Sequence, residues 1–381
     1  MAPLIAQCLE ADLASASYCT PMRASGRDTP SLDVLDTAIA RLDASISVQA
    51  LAELDWAAHL GALCARVWNA PHARISLGGT SLSNVLCLGH VLPRLHPDRR
   101  VVLVDRLAHQ SVYGGLIQAD FDVAWLHRES GPRGTRPLQA EQVRAALDRF
   151  GAGSVCALHY TVCPYGAPRD PEQERAILEL CRARGVPVCI DAAWAATHGL
   201  FAGSPPAVAA YGDIVLLSPH KKGLTPQPIG VMLFHDPAIG ALADEAAELG
   251  LHTTSPNFVM LAIAERRLLE LLEGRFDKPW RGAVRRATRL RRALAGRGWL
   301  VPDGEDGSVA DVTHVRIRCP NGRSAGAVAG FLRPRGITVE ADFSDGVLLL
   351  LGPPGPAPGM AAADAALLDA LADFDAREAG S

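Results

Sequence analysis

Two adjacent lysines are the residues of this sequence most suited to chemistry. Of the 37 Lys and Arg residues, only Lys221, Lys222 and Lys278 are lysines. A lysine amine can lose its proton, whereas an arginine guanidinium stays charged. The segment S-P-H-K-K-G, residues 218–223, follows an apolar run. It therefore predicts a reactive amine at the end of a strand, with a solvated basic turn as the alternative.

A carboxylate ends a second apolar run. Asp191 lies between V-C-I and A-A-W in the segment 188–194. An aspartate in this position often caps a turn or a helix. Its functional interpretation is an anion that keeps a proton on the ring nitrogen of a bound ligand.

Two glycines and two hydroxyl side chains open a predicted helix in the segment G-G-T-S-L-S-N, residues 78–84. Free backbone N–H groups and the helix dipole favour an anion at a helix N-terminus. Gly79, Thr80 and Ser81 are therefore candidate phosphate ligands, although the same residues also make an ordinary loop and N-cap. His109, just past another apolar run, is either a structural histidine or a ring on which a flat ligand stacks.

The elements that position these residues alternate along the chain. Short apolar runs predict strands at 101–105, 154–160, 186–191, 213–218 and 229–234. Apolar residues at helical spacing predict helices at 48–67, 81–95, 138–150 and 171–184. This alternation predicts an α/β fold with a mostly parallel central sheet and helices on both faces. Ligands of such sheets bind beyond the carboxyl ends of the strands.

The pattern changes near residue 275. Helical segments at 258–272 and 281–294 are followed by strand, helix and strand patterns at 312–319, 325–332 and 347–351, and by a final helix at 361–374. We therefore expect an N-terminal segment at 1–47, a large ligand-binding domain at 48–274 and a small C-terminal α+β domain at 275–381.

Composition narrows the classes of function. The net charge of −4 and the pI of about 6.3 argue against a broad nucleic-acid surface. No apolar run reaches the roughly 18 residues of a membrane span. Nine cysteines without a C-x-x-C pair, and an N-terminus without a basic region, predict reduced thiols in a cytoplasmic protein and no zinc site.

The four features together match the needs of pyridoxal 5'-phosphate (PLP). Its aldehyde needs a lysine amine, with which it forms a Schiff base. Its pyridine nitrogen needs a carboxylate that keeps it protonated, so that the ring can accept electrons. Its phosphate needs N–H groups and hydroxyls, and its flat ring needs a stacking partner. Each need has a candidate at the same predicted edge of the sheet.

These motifs resemble those of the Orn/Lys/Arg decarboxylase family, which has the fold-type I, aspartate-aminotransferase-like fold of PLP enzymes. The resemblance covers residues 50–275 and continues weakly through 336–340. It rests on five matches in order, namely G-T-S-L-S-N at 79–84, D-R-L-A-H-Q-S at 105–111, D-A-A-W at 191–194, S-P-H-K at 218–221 and T-T-S-P at 253–256.

The resemblance implies a role for each matched residue. His109 would stack on the pyridine ring, Asp191 would bind the ring nitrogen, Ala193 would pack on the other ring face, and Lys221 would form the Schiff base. The other residues implied in cofactor binding are Gly79, Thr80, Ser81, Trp194, Ser218, His220 and Thr254. In the family the threonine region reaches the phosphate of the partner subunit, so a homodimer with shared sites is expected.

The sequence departs from the family pattern in three places. Ala192 stands where relatives have Glu or Ser, and the usual N-terminal P-G-H-K-type segment is replaced by T-P-M-R at 20–23. Regions that contribute substrate contacts in the larger relatives also have no counterpart. The cofactor is therefore the firmer expectation, and the substrate depends on the resemblance alone.

The resemblance implies decarboxylation of a basic amino acid, with electrons from the broken bond taken up by the ring and Lys221 or His220 returning a proton to Cα. Glu340 and Asp342 are candidate partners for a basic side chain. Tyr160, Thr161 and Tyr165, after another strand, are candidate lining residues. Another PLP reaction, such as transamination, lyase or oxidase chemistry, is the alternative, and an idle partner of an active relative is a third. A metal site made by His159, Cys163, His198 and His220 lacks ligand spacing.

Overall fold

The computed structural model describes residues 16–18, 55–131, 134–208, 212–225, 228–248, 257–299, 308–319, 324–342, 346–352 and 360–379. The predicted segments 20–23 and 253–256, with Thr254, lie outside these residues. The side chain of Asp342 also lies outside the described part of the chain.

The described strands fall into one large sheet and three small ones. In chain order they are β1 (Ala16–Tyr18), β2 (His72–Ser76), β3 (Val101–Asp105), β4 (Asp122–Leu126), β5 (Ser130–Gly131), β6 (Gly134–Thr135), β7 (Val155–Thr161), β8 (Val188–Ala192), β9 (Ile214–Leu217), β10 (Gly230–Phe234), β11 (His314–Arg318), β12 (Ile337–Val339), β13 (Ala341–Asp342) and β14 (Gly346–Leu350). The large sheet has the order β2-β10-β9-β8-β7-β3-β4. The pairs from β9 to β4 are parallel, whereas β10 is antiparallel to both β9 and β2.

Helices connect the strands and cover them. They are α1 (Trp56–Trp68), α2 (Gly79–Leu86), α3 (Leu92–Leu95), α4 (Gln110–Gln118), α5 (Ala140–Phe150), α6 (Pro171–Ala183), α7 (Pro237–Glu248), α8 (Phe258–Leu272), α9 (Asp277–Gly296), α10 (Ala325–Leu332) and α11 (Met360–Ala379). A π-helical segment at Cys87–Val91 joins α2 to α3, and 3-10 turns form at Pro164–Gly166, Pro219–Lys222 and Arg333–Arg335.

The large sheet has a hydrophobic core on each face. Successive side chains of a strand point to opposite faces, so β3 contributes to both cores. Val102 belongs to the core that includes Val112 of α4. Leu103 belongs to the core that includes Leu147 of α5. The central strands are buried on both faces because helices cover each of them, as expected for a parallel sheet.

A separate core forms around the antiparallel sheet β11-β14-β13. Ala287 of α9 and Leu371 of α11 belong to this core, whereas Phe276, just before α9, belongs to a core of the large sheet. The change from one core to the other therefore falls within α9. The domain limits expected at 47/48 and 274/275 stay predictions.

Most predicted elements are present, with differences that have physical causes. In the large sheet, β2 and β4 were not predicted, since both are edge strands that mix polar and apolar residues. The helix predicted at 81–95 begins earlier, at Gly79, and contains the π-helical segment. Among the described residues, no helix combines the length and the apolar character that crossing a membrane requires.

Candidate active site

One cavity of about 150 Å³ lies at the carboxyl end of the large sheet, where α2 and α4 begin. Its wall includes ten of the eleven predicted site residues: Gly79, Thr80, Ser81, His109, Asp191, Ala193, Trp194, Ser218, His220 and Lys221. The remaining wall residues are Gly78, Asn84, Leu107, Thr161, Pro164, Tyr165 and Pro228. The fold therefore brings together all the predicted site residues that the structure describes. The roles assigned to these residues stay predictions.

The start of α2 forms one wall of the cavity. Gly79 has a φ of +65°, and a Cβ there would lie 3.3 Å from the carbonyl oxygen of Pro228. Glycine is thus the residue that this turn accepts at the lowest cost. Thr80 Oγ1 donates a hydrogen bond to the carbonyl oxygen of Leu217 at 2.9 Å and ties the helix to the end of β9. The N–H groups of the first helical turn have no partners within the helix, so this wall suits an anion.

Asp191 is fixed by two hydrogen-bond donors. Its side chain accepts hydrogen bonds from the Ala193 N–H at 3.0 Å and from Asn84 Nδ2 at 2.9 Å. Asn84 Oδ1 lies 3.0 Å from His159 Nε2, which orients the Asn84 amide. Burial lowers the pKa of His159, so a neutral ring donates this bond. Asn84 and His159 were not predicted as site residues, and the only sequence signal was the place of Asn84 in the G-T-S-L-S-N motif.

His109 is held at the N-terminus of α4. Its Nδ1 accepts a hydrogen bond from the Ser111 N–H at 3.2 Å and lies 2.8 Å from Ser111 Oγ. Ser111 Oγ in turn accepts a bond from Asn84 Nδ2 at 3.1 Å. Burial and the charge of Lys221 lower the pKa of His109, while Asp191 acts in the opposite direction. The imidazole is therefore neutral at neutral pH.

The amine of Lys221 lies within the cavity. Burial lowers its pKa, while the charges of Asp191, Glu340 and Cys163 act in the opposite direction. Its Nζ lies 4.3 Å from the centroid of the Trp194 ring. A lowered pKa gives a lysine more free amine at neutral pH, which suits both nucleophilic attack and proton transfer.

Lys222 has a different environment from its neighbour. It is 1% exposed, and it is not among the residues of the cavity wall. Its Nζ donates to Asp311 Oδ2 at 2.8 Å, Thr313 Oγ1 at 2.7 Å and His314 Nε2 at 3.0 Å. Three acceptors use all three hydrogens of an ammonium group. Of the two lysines, Lys221 is thus the one with an available amine, as the resemblance implies.

His220 follows Ser218 at the end of β9. Its Nδ1 lies 2.9 Å from Ser218 Oγ. Burial, together with the charge of Lys221, lowers the pKa of His220 to about 4, against the opposite effect of a hydrogen bond to the backbone of Ile229. At neutral pH this ring is therefore neutral, so it cannot act as an acid in the way that an imidazolium does.

The end of β7 and the loop after it contribute Thr161, Pro164 and Tyr165 to the cavity wall. Arg128 Nη2 donates to the Thr161 carbonyl oxygen and, at 2.6 Å, to Asp105 Oδ2. The Thr161 N–H donates to the same carboxylate at 3.3 Å. Thr161 Oγ1 is buried at the cavity wall, and no partner for it lies among the described residues. Cys163 and Tyr165 have φ values of 41° and 50°, which are strained for residues other than glycine.

One lining residue expected from the sequence differs in the structure. Tyr160, expected to line the site, points away from it: its hydroxyl lies 3.5 Å from Glu174 Oε1 and its ring lies against Arg128. The alternation of side chains along β7 explains this, because Thr161 next to it faces the cavity. Within the described ranges, no group of three or more His, Cys, Asp or Glu side chains is arranged to hold a metal ion.

Comparison with known proteins identifies the fold. Neither a family model nor a curated protein matches the sequence. Solved structures do match it. A Sphingomonas wittichii serine palmitoyltransferase is 14% identical with a TM-score of 0.64, and the alignment covers 93% of this chain and 87% of that one. A lysine-to-alanine variant of the S. paucimobilis serine palmitoyltransferase, solved with bound PLP and myriocin, is 14% identical with a TM-score of 0.65 and the same coverage.

A third similar structure is the alanine–glyoxylate aminotransferase of a Nostoc species. It is 19% identical with a TM-score of 0.64, over 84% of this chain and 87% of that one. The chain has the fold of these enzymes. The predicted fold-type I class is therefore confirmed. At these identities the likeness shows the fold alone, and the narrower resemblance to the Orn/Lys/Arg decarboxylases stays a prediction.

Proposed function

We propose that this chain is a PLP-dependent enzyme that acts on an amino acid. The observation that carries the proposal is the convergence of Lys221, Asp191, His109 and the start of α2 on one cavity. These residues come from four separate parts of the sequence, and each has the chemistry that a different part of PLP requires.

The residues of the cavity fit this cofactor. The amine of Lys221 has a lowered pKa, and Asp191 is already oriented by Asn84 and by backbone. The glycine turn at Gly79 leaves room for a group close to the backbone, where N–H groups suit a phosphate. The buried hydroxyl of Thr161 is a polar group that a ligand can satisfy. One of the similar structures also contains PLP.

PLP supplies an aldehyde that bonds to amines and a ring that accepts the electron pair of a bond broken at Cα. In this chain Lys221 would hold it covalently, and Asp191 would hold the proton of its ring nitrogen. The neutral ring of His109 would stack on it. The start of α2, with Ser218 and His220, would bind its phosphate.

Decarboxylation of a basic amino acid is the reaction that we propose. The bond between Cα and the carboxylate carbon breaks, CO₂ leaves, and a proton takes its place on Cα. Lys221 is suited to deliver this proton, because burial lowers its pKa below that of an ordinary lysine and so eases release of the proton. His220, with a pKa of about 4, lacks that proton at neutral pH. Glu340 supports a basic substrate, since its negative charge acts on Lys221. A cytoplasmic homodimer in which Thr254 reaches the partner's phosphate belongs to the same proposal.

The test uses purified protein incubated with PLP and a panel of amino acids that includes ornithine, lysine and arginine. We expect a visible absorbance band with PLP, and release of CO₂ with one amine product from a basic amino acid. Lys221→Ala is expected to abolish both the band and turnover. Lys278→Ala, which removes an exposed lysine, is the matched control and should change neither.

Other outcomes would overturn parts of the proposal. A band that changes on addition of an amino acid without release of CO₂ would exclude decarboxylation and leave PLP chemistry of another kind. Absence of any band with PLP would overturn the cofactor assignment itself. A band that no amino acid changes would favour an idle protein that regulates an active relative.

A further inference from the structure

The hydrogen bonds of Lys222 join the site to the smaller sheet. Its three acceptors, Asp311, Thr313 and His314, come from the segment that enters β11. Lys222 itself belongs to the 3-10 turn Pro219–Lys222 after β9. A fully buried amine with three short bonds has one position, so β11 is held at a fixed place beside the turn that carries Lys221.

His314 connects Lys222 to the wall of the cavity, because its ring contacts Trp194. Its Nε2 accepts from Lys222, so the ring hydrogen lies on Nδ1. Burial and the charge of Lys222 keep its pKa well below the usual range, and the ring stays neutral. The ring meets the Trp194 ring edge to face, with centroids 5.8 Å apart and planes at 84°. A Cβ on Gly166 would lie 3.1 Å from His314 Cβ, so the backbone of the 161–166 loop closes off the space behind this residue.

Trp194 is enclosed on its remaining side. The ring of Tyr165 lies 5.9 Å away at 48°, and Trp194 is only 7% exposed. The amine of Lys221 lies over the Trp194 ring, 4.3 Å from its centroid. A ring face attracts a cationic amine, and most strongly where water is excluded. The four residues thus form a continuous line of contacts from Lys222 through His314 and Trp194 to Lys221.

We propose that Trp194 is the seat on which the amine of Lys221 rests whenever it is not joined to the cofactor, and that Lys222 and His314 are positioning residues that hold this ring in place. This inference rests on the proposed function, because only that function makes the amine of Lys221 a reactive group. It explains why a second lysine follows Lys221: the amine of Lys222 orients the wall, while the amine of Lys221 remains available for chemistry.

The test reads Lys221 directly and needs no turnover. The chain has only three lysines, so acetylation by an N-hydroxysuccinimide ester can be followed peptide by peptide by mass spectrometry. Protein without PLP is labelled over a series of pH values, and exposed Lys278 serves as an internal reference. The midpoint of the pH dependence reports the protonation of Lys221. The ionisable groups that face or sense it, Asp191, Glu340, Cys163, His109 and His220, are unchanged in every variant.

The first variants change the seat itself. Trp194→Leu removes the ring face that stabilises the ammonium form, so the labelling midpoint of Lys221 should move to lower pH. We expect the fraction of free amine below the midpoint to rise about two- to fivefold. Trp194→Phe retains a ring face and should restore most of the native midpoint. An unchanged midpoint in Trp194→Leu would overturn the proposal.

Lys222→Met separates an effect through the ring from a direct effect of charge. If Lys222 acts through His314 and Trp194, its loss shifts the Lys221 midpoint to lower pH, and adds nothing in a Trp194→Leu background. If it acts only as a nearby positive charge, its loss shifts the midpoint to higher pH. A shift to higher pH, no shift, or full additivity with Trp194→Leu would each overturn the proposal.

Two further variants guard against a loss of folding. Thr313→Val removes one acceptor of Lys222 and should give a smaller shift in the same direction. Arg286→Met breaks the ion pair with Asp364 elsewhere in the smaller core and should leave the Lys221 midpoint unchanged. Binding of PLP, measured separately by the visible band in the native protein and in Lys221→Ala, tests the proposed function. If no band forms but the labelling midpoints of Lys221 shift as expected, the proposed function is wrong, whereas the contacts from Lys222 to Lys221 are supported.

Discussion

Two sets of polar side chains meet at this end of the large sheet, and they use the same residue types in opposite ways. The cavity set comprises Lys221, Asp191, His109 and His220. The buried network comprises Lys222, Asp311, His198, Arg169 and Glu174, which form one chain of hydrogen bonds. In the buried network, Arg169 and Glu174 are 1% and 3% exposed and make two parallel bonds to each other.

The fold separates reactive groups from supporting ones by the number of partners that it gives them. In the buried network, cations and anions alternate and their polar atoms find partners, so burial does not leave a charge uncompensated. In the cavity set, burial lowers the pKa of Lys221, His109 and His220 without a comparable set of partners. Perturbed groups of the second kind are those that enzymes use.

Breaking the buried network should cost far more stability than removing a cavity residue. Arg169→Met leaves Glu174 buried without its partner, and we expect the free energy of unfolding to fall by about 3–5 kcal/mol. Lys221→Met should change it by less than about 1 kcal/mol, because function and not packing requires that amine. Urea unfolding followed by circular dichroism measures both. Equal losses in the two variants would contradict the distinction.

Asn84 supports the cavity set, since its amide bonds both to the cavity residue Asp191 and to buried His159. Asn84→Ala removes a hydrogen bond to a charged group, which is worth about 1.5–3 kcal/mol. We expect weaker PLP binding and a changed visible band, because Asp191 is no longer oriented. Val85→Ala, one residue along α2, is a matched control that should leave both unchanged. Normal PLP binding by Asn84→Ala would show that the backbone of Ala193 alone orients Asp191.

The buried network should also make stability depend on pH. Burial, with Arg169 and Lys222, lowers the pKa of His198 from 6.5 to about 4, although Asp311 acts in the opposite direction. Between these values the unfolded chain binds more protons at this residue than the folded protein does. Its contribution to stability is therefore present above pH 6.5 and is lost as the pH falls towards about 4.

His198→Gln removes this titration, so the slope of unfolding free energy against pH should become shallower in that range. The exposed histidine variant His59→Gln is the control. An identical slope in His198→Gln and the native protein would mean that other groups, such as His314, account for the acid sensitivity.

The sequence predicts some elements to the residue and others not at all. β3, α8 and α10 match their expected limits, because a continuous apolar pattern bounded by polar residues defines each of them locally. β2 escaped prediction since its polar residues are accommodated by distant partners, as when Arg74 pairs with Asp244 of α7. No local pattern contains such a partner.

The site residues also divide into those that local patterns predict and those that depend on distant partners. Lys221, Asp191 and His109 could be predicted, because each lies at or just after the carboxyl end of a strand, and these ends converge in a parallel sheet. The environment of Lys222 could not be predicted, since its acceptors lie about ninety residues away, in and just before a strand of another sheet. Asn84 stood in a recognised motif, but only the three-dimensional structure shows that its amide bonds to Asp191, more than a hundred residues further along the chain.

The smallest predicted effect concerns the backbone of the cavity. Gly79→Ala forces a side chain into a positive φ and against the carbonyl oxygen of Pro228, which should cost about 1–2 kcal/mol. Because α2 begins here, the strain should disturb the anion-binding turn more than the hydrophobic cores. We therefore expect a clear loss of affinity for inorganic phosphate and for PLP, with only a small fall in the melting temperature. Isothermal titration with each ligand measures this. Gly153→Ala, where a Cβ meets nothing within 4 Å, is the control. Unchanged affinities in Gly79→Ala would place the phosphate elsewhere in the cavity and leave the start of α2 with a structural role alone.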